Sequence, residues 1–227
     1  MNKNKWSLRV SIGILTVLMP IVVLLSSTLC FALNPPFFLA FFNTHGTAAD
    51  VGVDSQGLHT VTRSITDYLA GAKDSMDVHV PVNGADTKFF NKRELDHMTD
   101  VRKLFDGVRM LAGFGAVICL GLFFFLKKNG GWSAVCRGFL GAGAGALALL
   151  AFLGFLALTD FEKAFIAFHK IFFSNSLWLL DPATSRLIRM LPEDFFNRMV
   201  LWILGLFGLV HVALAVFGFR GLKRVRR

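Results

Sequence analysis

The stretch Asn91–Leu126, NKRELDHMTDVRKLFDGVRMLAGFGAVICLGLFFFL, changes character once along its length. A charged, helix-forming half gives way to an apolar run with no charged side chain after Arg109. At 3.6 residues per turn, Glu94, His97, Val101, Leu104 or Phe105, and Val108 share one face, while Arg93, Asp96, Asp100, Arg102 and Lys103 point elsewhere. The apolar part, from Val108 to Leu126, approaches the roughly 20 residues that a membrane helix needs. His97 therefore stands on a stripe that leads from water into lipid. Judged on this segment alone, it is a packed or capping histidine satisfied by a carbonyl at least as readily as a functional one.

The composition around this stretch places the chain in a membrane. Hydrophobic residues make up 54% of 227, with 25 Phe against one Tyr, and mean hydropathy is +0.58, too apolar for an ordinary soluble domain. The net charge of +9 is gathered at the termini and in one short loop. It is not spread over an aromatic-studded polar surface, so nucleic acid is excluded as a partner and the charge reads as a topology signal. The three cysteines, Cys30, Cys119 and Cys136, are too few and too scattered for a disulfide framework or a zinc site.

Lys3, Lys5 and Arg9 precede the apolar run Val10–Leu33, so residues 1–33 are expected to form a cytoplasmic tail and a first transmembrane helix, retained as an anchor. Pro20 predicts a kink in it. Leu25–Cys30 approximates a lipobox, but bulky Leu29 before the cysteine argues against lipidation. Residues 34–107 are expected to be an extracellular cap leading into the second helix. Within it, Pro35, Pro36 and the run Phe37–Phe42 predict a turn and a short segment seated among headgroups. Ser55 predicts an N-cap for a helix reaching about Ala70, with Leu58, Val61, Ile65 and Leu69 on one side. Met76–Val82 alternates, and Asn83-Gly84 predicts a hairpin turn before Thr87–Phe90.

Beyond the second helix, 108–126, come a basic cytoplasmic loop at 127–138 with Lys127, Lys128 and Arg137, a third helix at 139–158, an outward-facing aromatic and histidine-bearing segment at 159–198, and a fourth helix with a basic cytoplasmic tail at 199–227. The run Gly141-Ala-Gly-Ala-Gly145 reads as a small-residue face for close helix packing, since it lacks the strand-to-helix context of a nucleotide loop. The positive-inside rule is met with both termini cytoplasmic and the 34–107 and 159–198 segments outside. The first of these carries ten acids against seven bases and the second five of each, so neither repels an amphiphile by charge. The expected fold is membrane α-helical, with four transmembrane helices and a small α+β extracellular cap.

The second outward segment reads TDFEKAFIAFHKIFFSNSLWLLDPATSRLIRMLPEDFF from Thr159. Thr159 and Glu162 have capping-box spacing, and the helix they open would carry Phe161, Phe165, His169, Phe172 and Phe173 along one side. A histidine merely packed among phenylalanines is again the plainer reading of this segment alone. Two histidines on one side of the membrane, each in a segment that joins water to lipid, weaken it. A pair of imidazoles with ordinary values near 6.5 suits proton transfer at neutral pH.

The run Glu94-Leu-Asp-His97-Met98-Thr-Asp100-Val101, the pair Phe168-His169 followed by Phe173, Asn175 and Trp178, and the tail Asp181-Pro182, Leu187-Ile188, Met190, Pro192-Glu193, Phe195-Phe196 resemble the lipoprotein intramolecular transacylase (Lit) family. The similarity extends from Gly52 through the fourth helix. It departs at Ser185, where the family more usually carries an acid. The resemblance implies a bacterial cell-membrane acyltransferase with catalytic His97 and His169 at the boundary of cap and membrane, without cofactor or metal. Its substrate would be a diacylglyceryl-modified lipoprotein with a free N-terminal cysteine, met among membrane lipid. The sn-2 acyl chain would pass from glyceryl oxygen to the cysteine amine, giving the lyso-form lipoprotein.

These residues suit that chemistry. The α-amine, near pKa 8, must lose a proton before attacking an ester, and the departing alkoxide must gain one. Nucleophile and ester belong to one molecule, so no acyl-enzyme is required, although Ser174 and Ser176 stay open as nucleophiles. Phe165, Phe172, Phe173 and Trp178 are expected to wall the acyl chains and thioether. Glu94 or Asp100 is expected to orient His97 and favour its protonated form, Glu94 being better placed on the helix, with Asn175 as further polar support. Which histidine is base and which acid stays open, as does the oligomeric state. Two alternatives stand beside this reading: a metal-dependent membrane hydrolase using Glu94, His97 and His169, and a non-enzymatic transporter or membrane chaperone built on His211 in the fourth helix.

Overall fold

A computed structural model describes residues 3–225, with side chains save those of residues 3, 4 and 156–158. Arg226 and Arg227, the end of the expected basic tail, lie outside the described residues, as does the side chain of Lys3. The chain is largely helical: α1 (Lys3–Ala32), α2 (Pro35–His45), α3 (Thr47–Val51), α4 (Ser55–Ala70), the strands β1 (His79–Val82) and β2 (Ala85–Lys88), then α5 (Lys92–Thr159), α6 (Phe161–Phe172), α7 (Arg186–Met190) and α8 (Glu193–Val225). It divides into two compact units. One comprises the chain up to Thr28, Val108–Thr159 and the chain from Leu201; the other comprises Leu29–Gly107 and Asp160–Val200.

Among the described residues, α1, α5 and α8 are long and apolar enough to cross a membrane. α5 contains both the second and the third expected spans. They are parted at Gly131, whose φ of 64° and ψ of −170° interrupt the helix in a region that side-chain-bearing residues avoid. The expected basic loop at 127–138 is thus helical on both sides of a single glycine. In this first unit Leu15, Leu126, Ala134, Val135 and Phe139 are buried together, while Phe114, Val117, Leu147 and Leu209 each expose about two thirds of their surface, an outside made for lipid.

The glycine run packs on both neighbouring helices of this unit. A Cβ at Gly145 would lie 3.0 Å from the Thr16 carbonyl oxygen and one at Gly143 3.1 Å from Ala215 Cβ. Thr16 is four residues before Pro20, whose ring lacks the N–H that would bond that carbonyl. α1 nevertheless runs through Pro20 as one helix.

The second unit is built on phenylalanines and a capped helix. Phe38, Phe41 and Phe42 of α2 are buried, with ring centroids 4.8, 5.1 and 5.9 Å from that of Phe195. They form core, because α2 folds back onto the start of α8. Asp54, one residue before the expected Ser55, caps α4 by accepting from Gly57 N at 2.7 Å. Leu58, Val61, Ile65 and Leu69 are all buried. β1 and β2 pair antiparallel, from His79 opposite Lys88 to Val82 opposite Ala85. Asn83 and Gly84 both have positive φ, 51° and 84°, the tight turn that suits a twisted two-stranded ribbon.

Candidate active site

α5 opens with a reciprocal cap. Glu94 N donates to Asn91 Oδ1 at 3.0 Å and Asn91 N donates to Glu94 Oε2 at 2.6 Å, which satisfies two of the donors that a helix start leaves free. Glu94 is nearly inaccessible, and its other oxygen accepts from Ser185 Oγ at 2.5 Å and Leu187 N at 2.7 Å. The carboxylate therefore ties the first turn of α5 to the first turn of α7. A hydroxyl suits this place because it brings a proton. A second acid at position 185 would have to be protonated to make the same bond.

One turn along α5, His97 is 8% exposed, and so is His169 on α6. Their ring centroids lie 6.1 Å apart. Phe173 touches both, at 5.3 Å from His97 and 5.6 Å from His169. Trp178 stacks on His169 at 4.9 Å, and Phe165 also packs on it, at 4.2 Å. Asp160, not Thr159, caps α6, accepting from Lys163 N at 3.1 Å, and this phase turns His169 inward. Phe172 falls outside the wall. It is 53% exposed, packs on Phe168 at 4.8 Å, and lines a neighbouring cleft.

His169 Nδ1 lies 2.7 Å from the Phe165 carbonyl oxygen. A carbonyl only accepts, so this nitrogen carries the proton and the neutral ring presents a lone pair at Nε2. His97 has no such anchor: its Nδ1 is buried without a hydrogen-bond partner. Glu94 does not supply one, because the helix cap and α7 take both its oxygens. The expectation that Glu94 orients His97 and favours its protonated form is therefore corrected. Burial first, and then the neighbouring His169, push His97 down from 6.5 to about 4, with Asp100 opposing more weakly. Burial likewise lowers His169, partly offset by the Phe165 carbonyl. Both rings are neutral at pH 7.

Asp100 instead holds the loop after α6. Its Oδ2 accepts from Asn175 Nδ2 at 2.8 Å and its Oδ1 from Lys103 Nζ at 2.9 Å; these two donors hold its carboxyl below the usual range. Asn175 Oδ1 in turn accepts from Leu177 N at 3.0 Å, and Arg93 donates to the Ser176 carbonyl. The turn that presents Trp178 to His169 is thus tied to α5 at two points. A cleft of about 290 Å³ lies between, bounded by Asp100, Lys103, Phe173, Ser174 and Asn175 among others. Sequence reasoning missed Lys103 and the bond of Ser185 to Glu94. For Ser185 the signal was present, in a hydroxyl where an acid is more usual. Among the described residues no group of three or more His, Cys, Asp or Glu side chains is placed to hold a metal ion; Glu94 does not join the histidines.

Residues 13–196 match the profile of the lipoprotein intramolecular transacylase Lit. The chain belongs to the Lit family. Its fold is similar to that of the membrane-integral Lit from Bacillus cereus, solved in meso, with a TM-score of 0.83 at 18% identity over 98% of this chain and 99% of that one. Structures of the same Bacillus cereus protein with a histidine replaced by arginine or by alanine each match at a TM-score of 0.78, also at 18% identity, over 98% of this chain and 95% and 96% of theirs. An uncharacterized protein of Aquifex aeolicus (strain VF5) is 29% identical over 143 residues, 59% of this chain and 60% of that protein's length. The apolar helices and the Lit fold make the chain a multi-pass membrane protein, and its family is one of intramolecular transacylases.

Proposed function

We propose that this protein isomerises diacylglyceryl lipoproteins, moving the sn-2 acyl chain from glyceryl oxygen to the amine of the N-terminal cysteine. The observation that carries the reading is the pair of buried imidazoles, 6.1 Å apart at their centroids, of which one ring nitrogen, His97 Nδ1, has no protein partner. A buried polar atom left unpaired costs about 1–3 kcal/mol, and a substrate oxygen or amine repays that cost on binding.

In this reading His169 is the base. Its Nδ1–H is held by the Phe165 carbonyl, so Nε2 takes a proton from the attacking amine. The nitrogen bonds to the ester carbonyl, and His97 donates a hydrogen bond to the oxyanion that develops. As the C–O bond to glycerol breaks, His169 Nε2–H returns the proton to the leaving oxygen. Atoms and charge balance, and the product has the mass of the substrate. Phe165, Phe173 and Trp178 exclude water from the intermediate, which would otherwise hydrolyse the ester. Orientation contributes as well, since nucleophile and ester are brought together within one molecule.

The topology belongs to the same proposal. α1, the two parts of α5 on either side of Gly131, and α8 would make four spans. Lys5, Arg9, Lys127, Lys128, Arg137 and the basic end of α8 favour a cytoplasmic side for both termini and the Gly131 turn, leaving the site outside.

The test is co-expression with a diacylglyceryl lipoprotein. Its N-terminal amine should become blocked with no change in mass, and fragmentation should locate one acyl chain on nitrogen. A free amine and two ester-linked chains on the recovered lipoprotein would sink the assignment.

A further inference from the structure

The cleft beside the histidines is chemically unlike them. Phe173 forms the shared wall: it touches both imidazoles and also lines the cleft, whose other side carries Asp100, Lys103, Ser174 and Asn175. Asp100 is one helical turn from His97 on α5 and is partly withdrawn from solvent, with 24% of its side chain exposed. Its two oxygens offer about four acceptor positions, and only two are used here, by Lys103 Nζ and Asn175 Nδ2. Lys103 is 72% exposed, and an ion pair with so solvated a partner is worth at most about 1 kcal/mol. The carboxylate therefore keeps open capacity toward the cleft and a cation that is easily displaced.

We propose that Asp100 is the docking group for the substrate's free α-ammonium, so that this cleft selects lipoproteins whose cysteine amine is unmodified. The inference rests on the transacylase reading of the adjoining histidines. An α-amine near pKa 8 is mostly protonated at neutral pH, and an ionised acid one turn from His97 captures it in that form. Lys103 swings out into water as the ammonium enters. Because a carboxylate favours the protonated amine, Asp100 contributes to capture and not to attack; the ammonium gives its first proton to water, which weakens its pull toward Asp100, and His169 Nε2 takes the second as the neutral amine attacks. The charged or titratable groups that act on the carboxylate are Lys103 and His97, both on α5; Asp96, one turn earlier on the same helix, is itself paired with Lys92.

The experiment is steady-state kinetics of the purified full chain on a synthetic diacylglyceryl-cysteinyl peptide, from about pH 6 to about pH 9.5, on either side of the amine's ordinary value. Asp100→Asn keeps an acceptor for Asn175 and removes only the charge. It should raise KM about tenfold or more at the acid end, as loss of a charge-assisted bond does, with kcat little changed, and the ratio to wild type should approach one at the alkaline end. Lys103→Gln removes the competing cation and should lower KM. The N-acetylated peptide, which cannot react, should inhibit wild type and Asp100→Asn equally. If Asn175→Ala reproduces the Asp100→Asn defect at every pH, or if Asp100→Asn weakens the N-acetylated inhibitor as much as the substrate, Asp100 is a strut for the loop and the docking role is wrong. Absence of turnover by the wild type would instead refute the transacylase reading itself.

Discussion

Phe165 and His169 in α6 and Phe207 and His211 in α8 form the same local device in two different regions. In each, the imidazole Nδ1 donates to the carbonyl of the phenylalanine four residues back, at 2.7 and 2.8 Å, and the rings pack at 4.2 and 4.4 Å. Each histidine is buried. Phe41 and His45 in α2 make a third copy, at 2.8 and 3.9 Å. The helix produces this geometry by itself, because residues four apart share a face. The difference lies in what meets the free side of the ring. His169 faces His97, Phe173 and Trp178, whereas His211 Nε2 is buried in the apolar unit with no hydrogen-bond partner. His45 Nε2 looks out to Asp194 at 3.7 Å. A phenylalanine-anchored histidine is thus a helical habit, and a second imidazole within reach is what makes one of the three a candidate catalyst.

The largest expected effects test that distinction directly. His169→Ala and His97→Ala should each lower the transacylation rate by about 10²–10⁴-fold, the usual worth of a general acid or base. His211→Leu should leave the rate within about threefold, an ordinary result for a substitution that touches no reacting group. The measurement is the fraction of lipoprotein with a blocked amine per unit of enzyme. Equal losses at 169 and 211 would erase the contrast between the two regions and restore the transporter-like reading of α8.

Next in size is the carboxylate that holds the histidine-bearing turn of α5 in place. Glu94→Ala would leave Asn91 N, Ser185 Oγ and Leu187 N without their acceptor. At about 1–3 kcal/mol for each buried group left unpaired, and with partial rescue by entering water, a net loss of about 3 kcal/mol is expected. Thermal unfolding in detergent reads it. Ser185→Ala removes one of the three bonds and also the α7 cap that its hydroxyl gives Ile188 N, and should cost about 2 kcal/mol, less than Glu94→Ala. If both variants melt with the wild type while activity falls, Glu94 acts on the chemistry and not through the fold.

Much of this was legible in the sequence, and what was not has identifiable causes. The join of charged helix and apolar run at Asn91–Leu126, the buried face of α4, and the Asn83-Gly84 hairpin all follow from periodicity and turn chemistry. Those are local properties. Helix caps were misjudged by one residue at Asp54 and Asp160, because several neighbouring residues could serve and only the packing of the helix decides among them. Glu94 was assigned to the wrong partner for a deeper reason. Its spacing from His97 puts both on one face, but the acceptor demand comes from α7, some ninety residues on, and no pattern within α5 records it. Phe172 is three residues from His169 and shares a face with it by the same i, i+3 logic, yet within α6 it stays 53% exposed, while Phe173, just past the helix end, turns in against both rings.

The pH dependence separates the paired histidines from any ordinary one. Burial lowers both His97 and His169 below 6.5, so the acid limb of kcat should lie below that value; a limb above it would mean that the rings are more solvated than this. Stability carries the same signature for His97. Its folded value is about 4 against 6.5 for the free side chain. Between those values the unfolded chain binds the extra proton, so stability is intact above about pH 6.5 and falls as pH drops toward 4, by about 3 kcal/mol in all. His97→Leu should flatten that part of the melting profile.

The smallest effect is expected at the third copy of the motif. His45 and Asp194 have side chains 33% and 55% exposed, so water and salt screen their attraction and the pair contributes at most about 0.5 kcal/mol. His45→Gln can still reach the Phe41 carbonyl with its amide, and should match the wild type in melting temperature and in transacylation rate. That indifference is informative because the local geometry of His45 is so close to that of His169. With the bond to the phenylalanine carbonyl four residues back held in common, an unchanged rate at 45 beside a large loss at 169 attributes the difference to what surrounds the ring, His97 above all. A rate loss at 45 would mean that α2 and the start of α8 communicate with the site through Phe195, and the enclosure around the histidines would then have to be drawn wider than Phe165, Phe173 and Trp178.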